Sequence, residues 1–409
     1  MVFFIGSCLL SVAAVQYTAV APASDELEYH RLAVNLLAGQ GYAIEPGTSI
    51  TSRPPLYPVL LAAVYAVFGT HYEAMWYVQA VLKSLTIFPV YCLGKRLFSP
   101  SVGLWAAGLY ALYPSFDMVA TLYRENLVAI LLVLFLWALV VAMQEHRFSA
   151  LMAAGVLAGC LMLANTIFLV LPLILCAIGF LDPRVRPQRM RLAGMILIAL
   201  LVYLPWQVRS TLLVDASDEE RSFRHLVLMF GHYPVFAGTF WWTLTDMRQL
   251  EIEREGARAW LQRLEQSRSG MPLADRINRD RHELSQLILD RPFSYLKFVF
   301  NRDLIFLFSP PPGTTTLRSI HPILAWAALF ANLVFVGGAI LYLLRAYRMD
   351  LSSYGVFGVL LSLLVVYGLL HSIRRYGYVM APVWCVYGAA AAGCVWTRIS
   401  GNMKRGALS

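Results

Sequence analysis

The sequence predicts an all-α polytopic membrane protein with about ten transmembrane helices and further juxtamembrane helices in its first outer loop. Two observations carry this prediction. Apolar runs long enough to cross a bilayer recur along almost the whole chain, and the Lys and Arg residues of the short links fall on one side if the runs alternate. Hydrophobic residues make up 59% of the 409 residues and charged residues only 14%, which is too little polar surface for a soluble domain.

The candidate spans are the apolar runs of roughly bilayer length. They cover residues 2–21, 73–94, 101–117, 125–143, 149–164, 166–181, 192–210, 321–344, 351–371 and 378–396. The first run has no basic leader and no convincing cleavage pattern, so we expect a true first span and not a removed signal peptide.

The basic residues of the short links orient the spans, because Lys and Arg concentrate in cytoplasmic links. They are Lys95, Arg96, Arg147, Arg184, Arg186, Arg189, Arg191, Arg345, Arg348, Lys404 and Arg405. The opposite, outer side then receives segments 22–72 and 211–320 and the short link 371–378. The same links account for the net charge of +9, so we expect no nucleic-acid partner.

The first outer loop, residues 22–72, is patterned. An amphipathic helix is expected from Asp25 to Gly39. A second, apolar helix is expected after Arg53 and its two following prolines, and it should end at Gly69. This second helix is short for a span, so we place it at the outer interface. If it crossed the membrane instead, the orientation of every later span would be inverted.

The chain divides into three parts. Residues 1–210 form an N-terminal transmembrane core that includes the first outer loop, residues 211–320 a charged extracytoplasmic segment, and residues 321–409 the C-terminal transmembrane helices. Within the charged segment, amphipathic patterns over 249–266 and 272–289 predict two helices, and we attribute their charges to solvation.

Several function classes are disfavoured. No glycine-rich phosphate loop, paired-Cys motif or His-Glu metalloprotease helix occurs, and no internal repeat supports a transporter built from inverted repeats. All six cysteines fall inside apolar runs, which argues against a disulfide framework or a thiolate metal site. They are Cys8, Cys92, Cys160, Cys176, Cys385 and Cys394.

Acidic residues near the outer membrane boundary are the first candidates for chemistry. Asp25 and Glu26 lie just beyond the first span, where acidic residues also stabilise a helix N-terminus through its dipole. Glu125 lies at the outer mouth of the fourth span, beside Arg124, and a local ion pair between the two is the alternative. Residue type and spacing leave both interpretations open.

Basic residues on the outer side run against the positive-inside preference. Arg53, Arg374 and Arg375 are of this kind. A guanidinium fork suits a phosphate group, and contact with lipid headgroups is the alternative. Lys83 lies well inside the second span, where it either snorkels to the boundary or faces a polar cavity. Carboxylates and arginines thus share one boundary, which suits a reaction on a phosphate-bearing lipid.

An ordered set of motifs resembles the GT-C membrane glycosyltransferases. Ser24-Asp25-Glu26-Leu27-Glu28-Tyr29, continuing through Gly39 and Gly41, is similar to their first outer loop. The later motifs are Ser52-Arg53-Pro54-Pro55, Tyr123-Arg124-Glu125-Asn126, Pro205-Trp206 with Arg209, Gly231-His232-Tyr233-Pro234, and Arg375-Tyr376 before Pro382. The group resembled most is that of the bacterial dolichyl-phosphate-mannose-type mannosyltransferases and aminoarabinose transferases.

The resemblance implies transfer of a sugar, with inversion, from a polyprenyl-phosphate-linked donor to an envelope acceptor. The reaction would take place on the extracytoplasmic face of the inner membrane. Asp25 would be the general base, and Glu26 would position it or the acceptor. Arg53 and Arg375, together with Arg374 and Lys83, would bind the donor phosphate.

The same resemblance gives Glu125, Tyr29, Tyr57 and Tyr376 as sugar-binding or acceptor-binding residues, the acceptor being a lipid, glycan or protein hydroxyl. We expect no obligatory metal or other cofactor, since no second strong acidic cluster supports a divalent cation. Relatives often carry more spans and a C-terminal soluble domain, so acceptor recognition stays open. Alternatives from other classes are a lipid-linked-sugar flippase or transporter and a non-catalytic subunit of a polysaccharide assembly machine.

Overall fold

A computed structural model describes most of the chain. The described residues are 1–18, 21–22, 25–45, 50, 53–213, 292–308, 322–349, 353–369 and 374–406, together with 266, 270–272, 275, 278–279, 282 and 289. Every regular element within these ranges is helical, which confirms the predicted all-α class.

The helices of the described ranges follow one another with short connections. They are α1 (Val2–Thr18), α2 (Asp25–Leu37), α3 (Leu56–Phe68), α4 (Tyr72–Leu85), α5 (Ile87–Leu97), α6 (Pro100–Ala111), α7 (Glu125–Glu145), α8 (Phe148–Ala164), α9 (Leu171–Leu181), α10 (Arg189–Leu213), α11 (Pro292–Phe308), α12 (Pro322–Met349), α13 (Tyr354–Leu369), α14 (Arg374–Gly377) and α15 (Ala381–Gly406). Short 3-10 turns lie at Phe116–Val119, Thr166–Val170, Arg186–Gln188 and Tyr378–Met380.

Membrane-spanning capacity is confirmed for the described part of the chain. Five stretches are long and apolar enough to cross a bilayer: Tyr72–Leu97, Glu125–Glu145, Arg186–Leu213, Phe330–Arg348 and Arg375–Trp396. Five more apolar helices are shorter: Val2–Thr18, Leu56–Phe68, Phe148–Ala164, Thr166–Leu181 and Tyr354–Leu369. The exact number of spans, about ten, stays a prediction.

Three predicted spans are less regular than expected. The run 73–94 is divided at Thr86 into α4 and α5, because Pro89 has no N–H for the carbonyl of the preceding turn and its ring crowds that turn. The run 101–117 is helical only to Ala111. The run 166–181 begins as a 3-10 turn, where the side chain of Asn165 accepts a hydrogen bond from the N–H of Ile167.

The two helices predicted for the first outer loop are confirmed as α2 and α3. The chain leaves α2 through Gly39 and Gly41, with φ of 71° and 81°, which is left-handed backbone that glycine adopts without strain. Leu32 of α2 and Leu61 of α3 are fully buried. With 13 residues, α3 is shorter than the roughly 20 residues that a span needs.

The charged segment is described only in part. The helices predicted over 249–266 and 272–289 lie outside the described residues, apart from isolated positions. The structure adds α11, Pro292–Phe308, which the sequence did not predict. Phe306 of α11 is buried and stacks on Tyr367 of α13 with ring centroids 4.9 Å apart, so this helix is part of the bundle.

Small residues set the closest helix contacts. A Cβ built on Gly155 of α8 would lie 2.8 Å from the Cβ of Ile198 on α10, and one on Gly159 would lie 2.5 Å from the Cβ of Val202. Both glycines therefore allow the two helices a separation that any larger residue would prevent. Close backbone approach of this kind is the usual basis of helix association in a bilayer.

The segments predicted to share the cytoplasmic face do meet in the structure. Arg96 at the end of α5 contacts Glu145 at the end of α7 with an N–O distance of 2.5 Å. Arg184, after α9, donates to the carbonyls of Tyr347 and Arg348 near the end of α12, at 2.9 and 3.1 Å. The first outer loop and the start of α7 lie at the other end of the helices.

Candidate active site

Asp25 is the centre of a charge cluster at the end of the helices that we predict to face the outer side; we call this the outer end and the opposite one the inner end. The Nη2 atom of Arg53 donates to Oδ1 of Asp25 at 2.8 Å, and the Nη2 atom of Arg375 donates to Oδ2 at 2.7 Å. These arginines are 28 and 350 residues away in sequence. The structure therefore joins three of the residues that the sequence proposed, from three separate segments.

Two guanidiniums control the charge of Asp25. Burial by itself would raise the pKa of the Asp25 carboxyl, but Arg53, and then Arg375, outweigh burial, so the pKa lies below its ordinary value. The Asp25 side chain keeps 31% of its surface exposed. It is therefore an ionised carboxylate at neutral pH that a substrate can reach.

Arg53 lies between two carboxylates of the same helix. Besides its contact with Asp25, its Nε atom donates to Oε2 of Glu28 at 2.8 Å. Asp25 and Glu28 are one helical turn apart on α2, so both side chains point to the same face. Because Arg53 comes just before α3, its side chain also ties α3 to the first turn of α2.

The backbone of Arg53 is held by residues to which the sequence gave no role. The hydroxyl of Tyr42 donates to the carbonyl oxygens of Arg53 and Pro54 at 2.9 and 3.1 Å. Arg209 of α10 donates to the carbonyls of Ile50 and Tyr42, and its guanidinium stacks on Tyr42. The Pro-Trp…Arg motif of the seventh predicted span was the signal for this support, but its partner could not be read from the sequence.

Arg375 connects Asp25 to Glu125. Its Nε atom lies 3.4 Å from Oε1 of Glu125, and its guanidinium carbon is 3.8 Å from the centroid of the Tyr123 ring. Glu125 is only 5% exposed. Its Oε2 atom has no hydrogen-bond partner among the described residues. An ion pair with neighbouring Arg124 was one of the two interpretations of Glu125, and the ion pair found among the described residues is with Arg375.

Glu26, Tyr29 and Tyr57 lie beside the cluster and fix α2. Oε1 of Glu26 accepts a hydrogen bond from the backbone N–H of Leu122 at 2.7 Å. The Tyr29 hydroxyl accepts one from Nη1 of Arg124 at 3.0 Å. The rings of Tyr29 and Tyr57 meet edge to face, 5.0 Å between centroids. The described contacts of Glu26 and Tyr29 therefore attach α2 to the segment that leads into α7.

The remaining proposed residues divide into two groups. Tyr376 is next to Arg375 and stacks on Tyr367, with centroids 4.8 Å apart, so it belongs to the cluster. The side chain of Arg374 lies outside the described residues. Lys83 is fully buried in α4, with its ammonium 5.8 Å from the ring centroid of Tyr110. Lys83 is therefore in the bundle interior, deeper than the outer cluster.

This arrangement has defined chemical capabilities. A reachable carboxylate can accept a proton, and the two guanidiniums that now bind its oxygens are suited to an anion with several oxygens, such as a phosphate. Tyr123 under Arg375 adds a flat, partly apolar wall. Among the described residues, no group of three or more His, Cys, Asp or Glu could hold a metal ion. The expectation of no obligatory metal stays a prediction.

The chain is similar to one known family over part of its length. A family model described as dolichyl-phosphate-mannose-protein mannosyltransferase matches residues 52–208. The matched stretch includes Arg53 and Glu125 and lies between Asp25 and Arg375, which are outside it. No protein among the curated sequences matches significantly.

Solved structures extend the similarity to the whole chain. The archaeal oligosaccharyltransferase AglB from Archaeoglobus fulgidus, in complex with an inhibitory peptide and a dolichol-phosphate, is 18% identical with a TM-score of 0.54. That match covers 100% of this chain and 51% of that one. The apo form of the A. fulgidus oligosaccharyltransferase gives 18% identity and a TM-score of 0.55, over 100% of this chain and 52% of that one.

ArnT from Cupriavidus metallidurans bound to undecaprenyl phosphate is 16% identical with a TM-score of 0.45, over 96% of this chain and 77% of that one. The chain spans about half the length of the oligosaccharyltransferase structures. The family model and the oligosaccharyltransferase structures confirm the resemblance read from the sequence, and the fold is similar to that of those structures.

Proposed function

We propose that this protein is a glycosyltransferase that moves a sugar from a polyprenyl-phosphate-linked donor to an acceptor hydroxyl. The observation that carries the proposal is the Asp25 carboxylate bound on both oxygens by Arg53 and Arg375. One potential proton acceptor and two phosphate-binding groups are thus in contact at the outer end of the helices. The matching family is named for a dolichyl-phosphate-linked mannose, and AglB is described with a dolichol-phosphate.

The reaction needs a base and an anion site on opposite sides of the anomeric carbon. Asp25 takes the proton of the acceptor hydroxyl while the hydroxyl oxygen forms a bond to that carbon. The bond between the anomeric carbon and the phosphate oxygen breaks, and its electron pair goes to the phosphate. Attack from the side opposite the leaving group inverts the anomeric centre.

Arg53 and Arg375 act on the leaving phosphate. Negative charge on the phosphate grows as the glycosidic bond breaks, and fixed guanidiniums stabilise that charge more in the transition state than in the ground state. Since these guanidiniums bind Asp25 in the resting protein, a donor phosphate competes with the carboxylate for them. When the donor binds, Arg53 and Arg375 contact its phosphate instead of Asp25. The pKa of Asp25 then rises, and the carboxylate becomes a stronger base.

The other proposed residues take supporting roles. Glu125 holds Arg375 and faces the sugar or acceptor, and Tyr29, Tyr57 and Tyr376 line that region. Glu26 keeps α2 on the segment before α7. We propose the extracytoplasmic face of the inner membrane as the location, and a phosphate contact for Arg374, with no obligatory metal. The interior position of Lys83 does not favour the phosphate contact predicted for it from the sequence.

The test is transfer from a panel of radiolabelled polyprenyl-phosphate sugars to envelope extract, with purified protein. Asp25→Asn should lower transfer by about two to four orders of magnitude, the contribution of a positioned general base. Glu28→Gln is the matched control, because it changes a carboxylate of the same helix that binds the same arginine. We expect at most a several-fold loss for this control.

Transfer at the wild-type rate by Asp25→Asn would overturn the assignment of the base. Movement of the donor across vesicle membranes with no transfer to any acceptor, by both proteins, would overturn the enzyme assignment in favour of a transporter.

A further inference from the structure

A second polar cluster lies directly beneath the outer charges, inside the helix bundle. Its members are Gln79 of α4, Asn126 of α7, Tyr110 of α6 and Tyr378, which follows α14; we call it the buried polar cluster. None of the four is more than 2% exposed. Polar groups buried this deeply cost free energy unless they are hydrogen-bonded, so their contacts indicate what they stabilise.

Asn126 is the centre of the buried polar cluster. Its Nδ2 atom donates to Oε1 of Gln79 and to the carbonyl oxygen of Met118, both at 2.9 Å. Its Oδ1 atom accepts a hydrogen bond from the hydroxyl of Tyr378 at 2.7 Å. The Tyr378 and Tyr110 hydroxyls are 3.2 Å apart. One side chain therefore joins α4, α7 and the segment after α14.

Gln79 carries the connection to the ring that supports Arg375. Its Nε2 atom donates to the carbonyl of Thr121 at 2.7 Å and to the carbonyl of Tyr123 at 3.0 Å. The ring of Tyr123 lies 3.8 Å from the guanidinium carbon of Arg375. Gln79 therefore fixes the backbone of Tyr123, and this fixes the position of the Tyr123 ring under Arg375.

Tyr378 carries the connection to the arginine itself. It is three residues after Arg375, and α14 and the 3-10 turn join them without a loop. The intervening Gly377 packs so closely on α11 that a Cβ at this position would overlap the carbonyl oxygen of Phe306. The backbone that carries Arg375 is therefore fixed on one side by α11 and on the other by Tyr378.

We infer that Gln79, Asn126 and Tyr378 are positioning residues, which hold Tyr123 and Arg375 in register with each other and with Asp25. The part of the inference that assigns these residues a role in binding the donor phosphate rests on the proposed function. The part that says how Arg375 is held in place does not depend on it. The residues act through Tyr123 and Arg375 and touch neither donor nor acceptor.

The experiment measures the reactivity of Arg375 directly. Purified full-length protein is treated with phenylglyoxal, which modifies guanidiniums, and the labelling rate of the Arg375 peptide is followed by mass spectrometry. Tyr378→Phe removes one oxygen and keeps the ring, and Gln79→Met removes the amide at nearly the same size. Tyr378→Phe should raise the labelling rate of Arg375 about fivefold, the factor that corresponds to one net buried hydrogen bond. Gln79→Met, which loses three hydrogen bonds, should raise it at least as much.

Tyr387→Phe is the matched control. Tyr387 is a fully buried tyrosine in the second turn of α15, and its hydroxyl donates to Ser353, just before α13, at 2.9 Å. The Tyr387→Phe variant loses a comparable hydrogen bond that does not involve the Arg375 segment. Arg375 should therefore be labelled in this variant at the wild-type rate. Arg184, at the inner end, should label at one rate in all variants, which separates a local change from general loosening.

Transfer kinetics supply the second measurement. Tyr378→Phe should raise the KM for the donor about fivefold, and Tyr387→Phe should leave the KM unchanged. Wild-type labelling and an unchanged KM in Tyr378→Phe, in a protein that transfers sugar, would overturn the positioning role. Faster labelling of Arg375 in a protein that transfers no sugar would support the positioning of Arg375 and count against the proposed function.

Discussion

The two ends of the bundle both carry arginine–carboxylate contacts, but they are built differently. At the inner end, Arg184 pairs with Asp182 two residues away, at 2.5 Å. At the outer end, Arg375 pairs with Asp25 across 350 residues. The inner Arg184 side chain is 43% exposed, whereas the Arg375 side chain is 19% exposed. Local, exposed pairs contribute little to stability, and assembled, shielded ones require the whole fold.

This difference indicates what each end does. The inner charges lie on links that we predict to be cytoplasmic, where basic residues orient the helices in the membrane. Their ion pairs include a local one, Arg184 with Asp182, and one between helices, Arg96 with Glu145. The outer charges meet only when α2, the turn before α3, α7 and α14 are all in place. Removing these charges from water costs free energy. Charged groups held in this way near a membrane usually serve a function.

The largest expected effect distinguishes the two ends most sharply. Arg375→Gln removes a charge that contacts both Asp25 and Glu125, and we expect transfer to fall about a hundredfold to a thousandfold, as for loss of a fixed group that stabilises transition-state charge. Arg375→Lys should recover only part of this activity, because an ammonium lacks the planar fork. The measurement is the transfer rate at saturating donor.

Arg184→Gln is the inner-end control for Arg375→Gln. It also removes a guanidinium that pairs with an aspartate, and it should leave the transfer rate within about twofold of wild type, as expected for an exposed pair. Equal losses in the two variants would remove the distinction between the ends and suggest that both act only through stability.

The sequence was sufficient to predict the helical membrane class and the candidates Asp25, Arg53, Glu125 and Arg375. Bilayer length and the requirement for internal backbone hydrogen bonds restrict the chain to helices, and charges at a membrane boundary are conspicuous. Their partners could not be predicted. For Glu125 the sequence offered a binding role or an ion pair with its neighbour Arg124, and the pair with Arg375, 250 positions away, depends on tertiary packing.

Helix breaks and neutral polar residues were also missed. The division at Thr86 follows from Pro89, yet an apolar run of the right length conceals it. Gln79 and Tyr378 carry no charge and lie inside apolar stretches, so composition gives no reason to single them out, and Asn126 entered only as the last residue of the Tyr123-Arg124-Glu125-Asn126 motif, without a role. Their importance comes from a hydrogen-bond network whose members are far apart in sequence.

The next effect in size tests the backbone that carries Arg375. Gly377→Ala places a methyl group against the carbonyl oxygen of Phe306, so α14 must move away from α11. Since a misplacement of about 1 Å can cost up to a hundredfold in rate, we expect transfer to fall about tenfold. Gly337→Ala on α12 is the control, because nothing lies within 4 Å of its Cβ position. Equal rates for the two variants would contradict this role of the close contact.

A smaller effect concerns pH. The pKa of Asp25 is lowered by Arg53 and Arg375 against the opposing effect of burial, so kcat/KM should be flat at neutral pH and fall only below about pH 4, the ordinary carboxyl value. The ionised pair likewise stabilises the fold above that pH, and this contribution is lost as the pH falls through the lowered pKa. Glu28→Gln, which leaves both arginines, should keep this profile.

In Arg53→Gln the acid limb of kcat/KM should move to higher pH, since one of the two charges that lower the pKa of Asp25 is gone. A pH profile of the residual activity checks this. An acid limb at the same pH in Arg53→Gln and wild type would mean that the limb belongs to a group other than Asp25.

The smallest effect is expected at the inner end. Glu145 contacts Arg96 at 2.5 Å and Arg147 at 2.7 Å, so Glu145→Gln removes the carboxylate from an inner cluster as Asp25→Asn does from the outer one. The inner arginines then gain uncompensated positive charge, which favours the predicted cytoplasmic side, and the insertion topology should be unchanged. Transfer should stay within about twofold, because Glu145 lies at the opposite end of the helices from Asp25 and partly exposed ion pairs such as its own contribute at most about 1 kcal/mol. A large loss of transfer with normal insertion would show that charge at the inner end also controls the outer site.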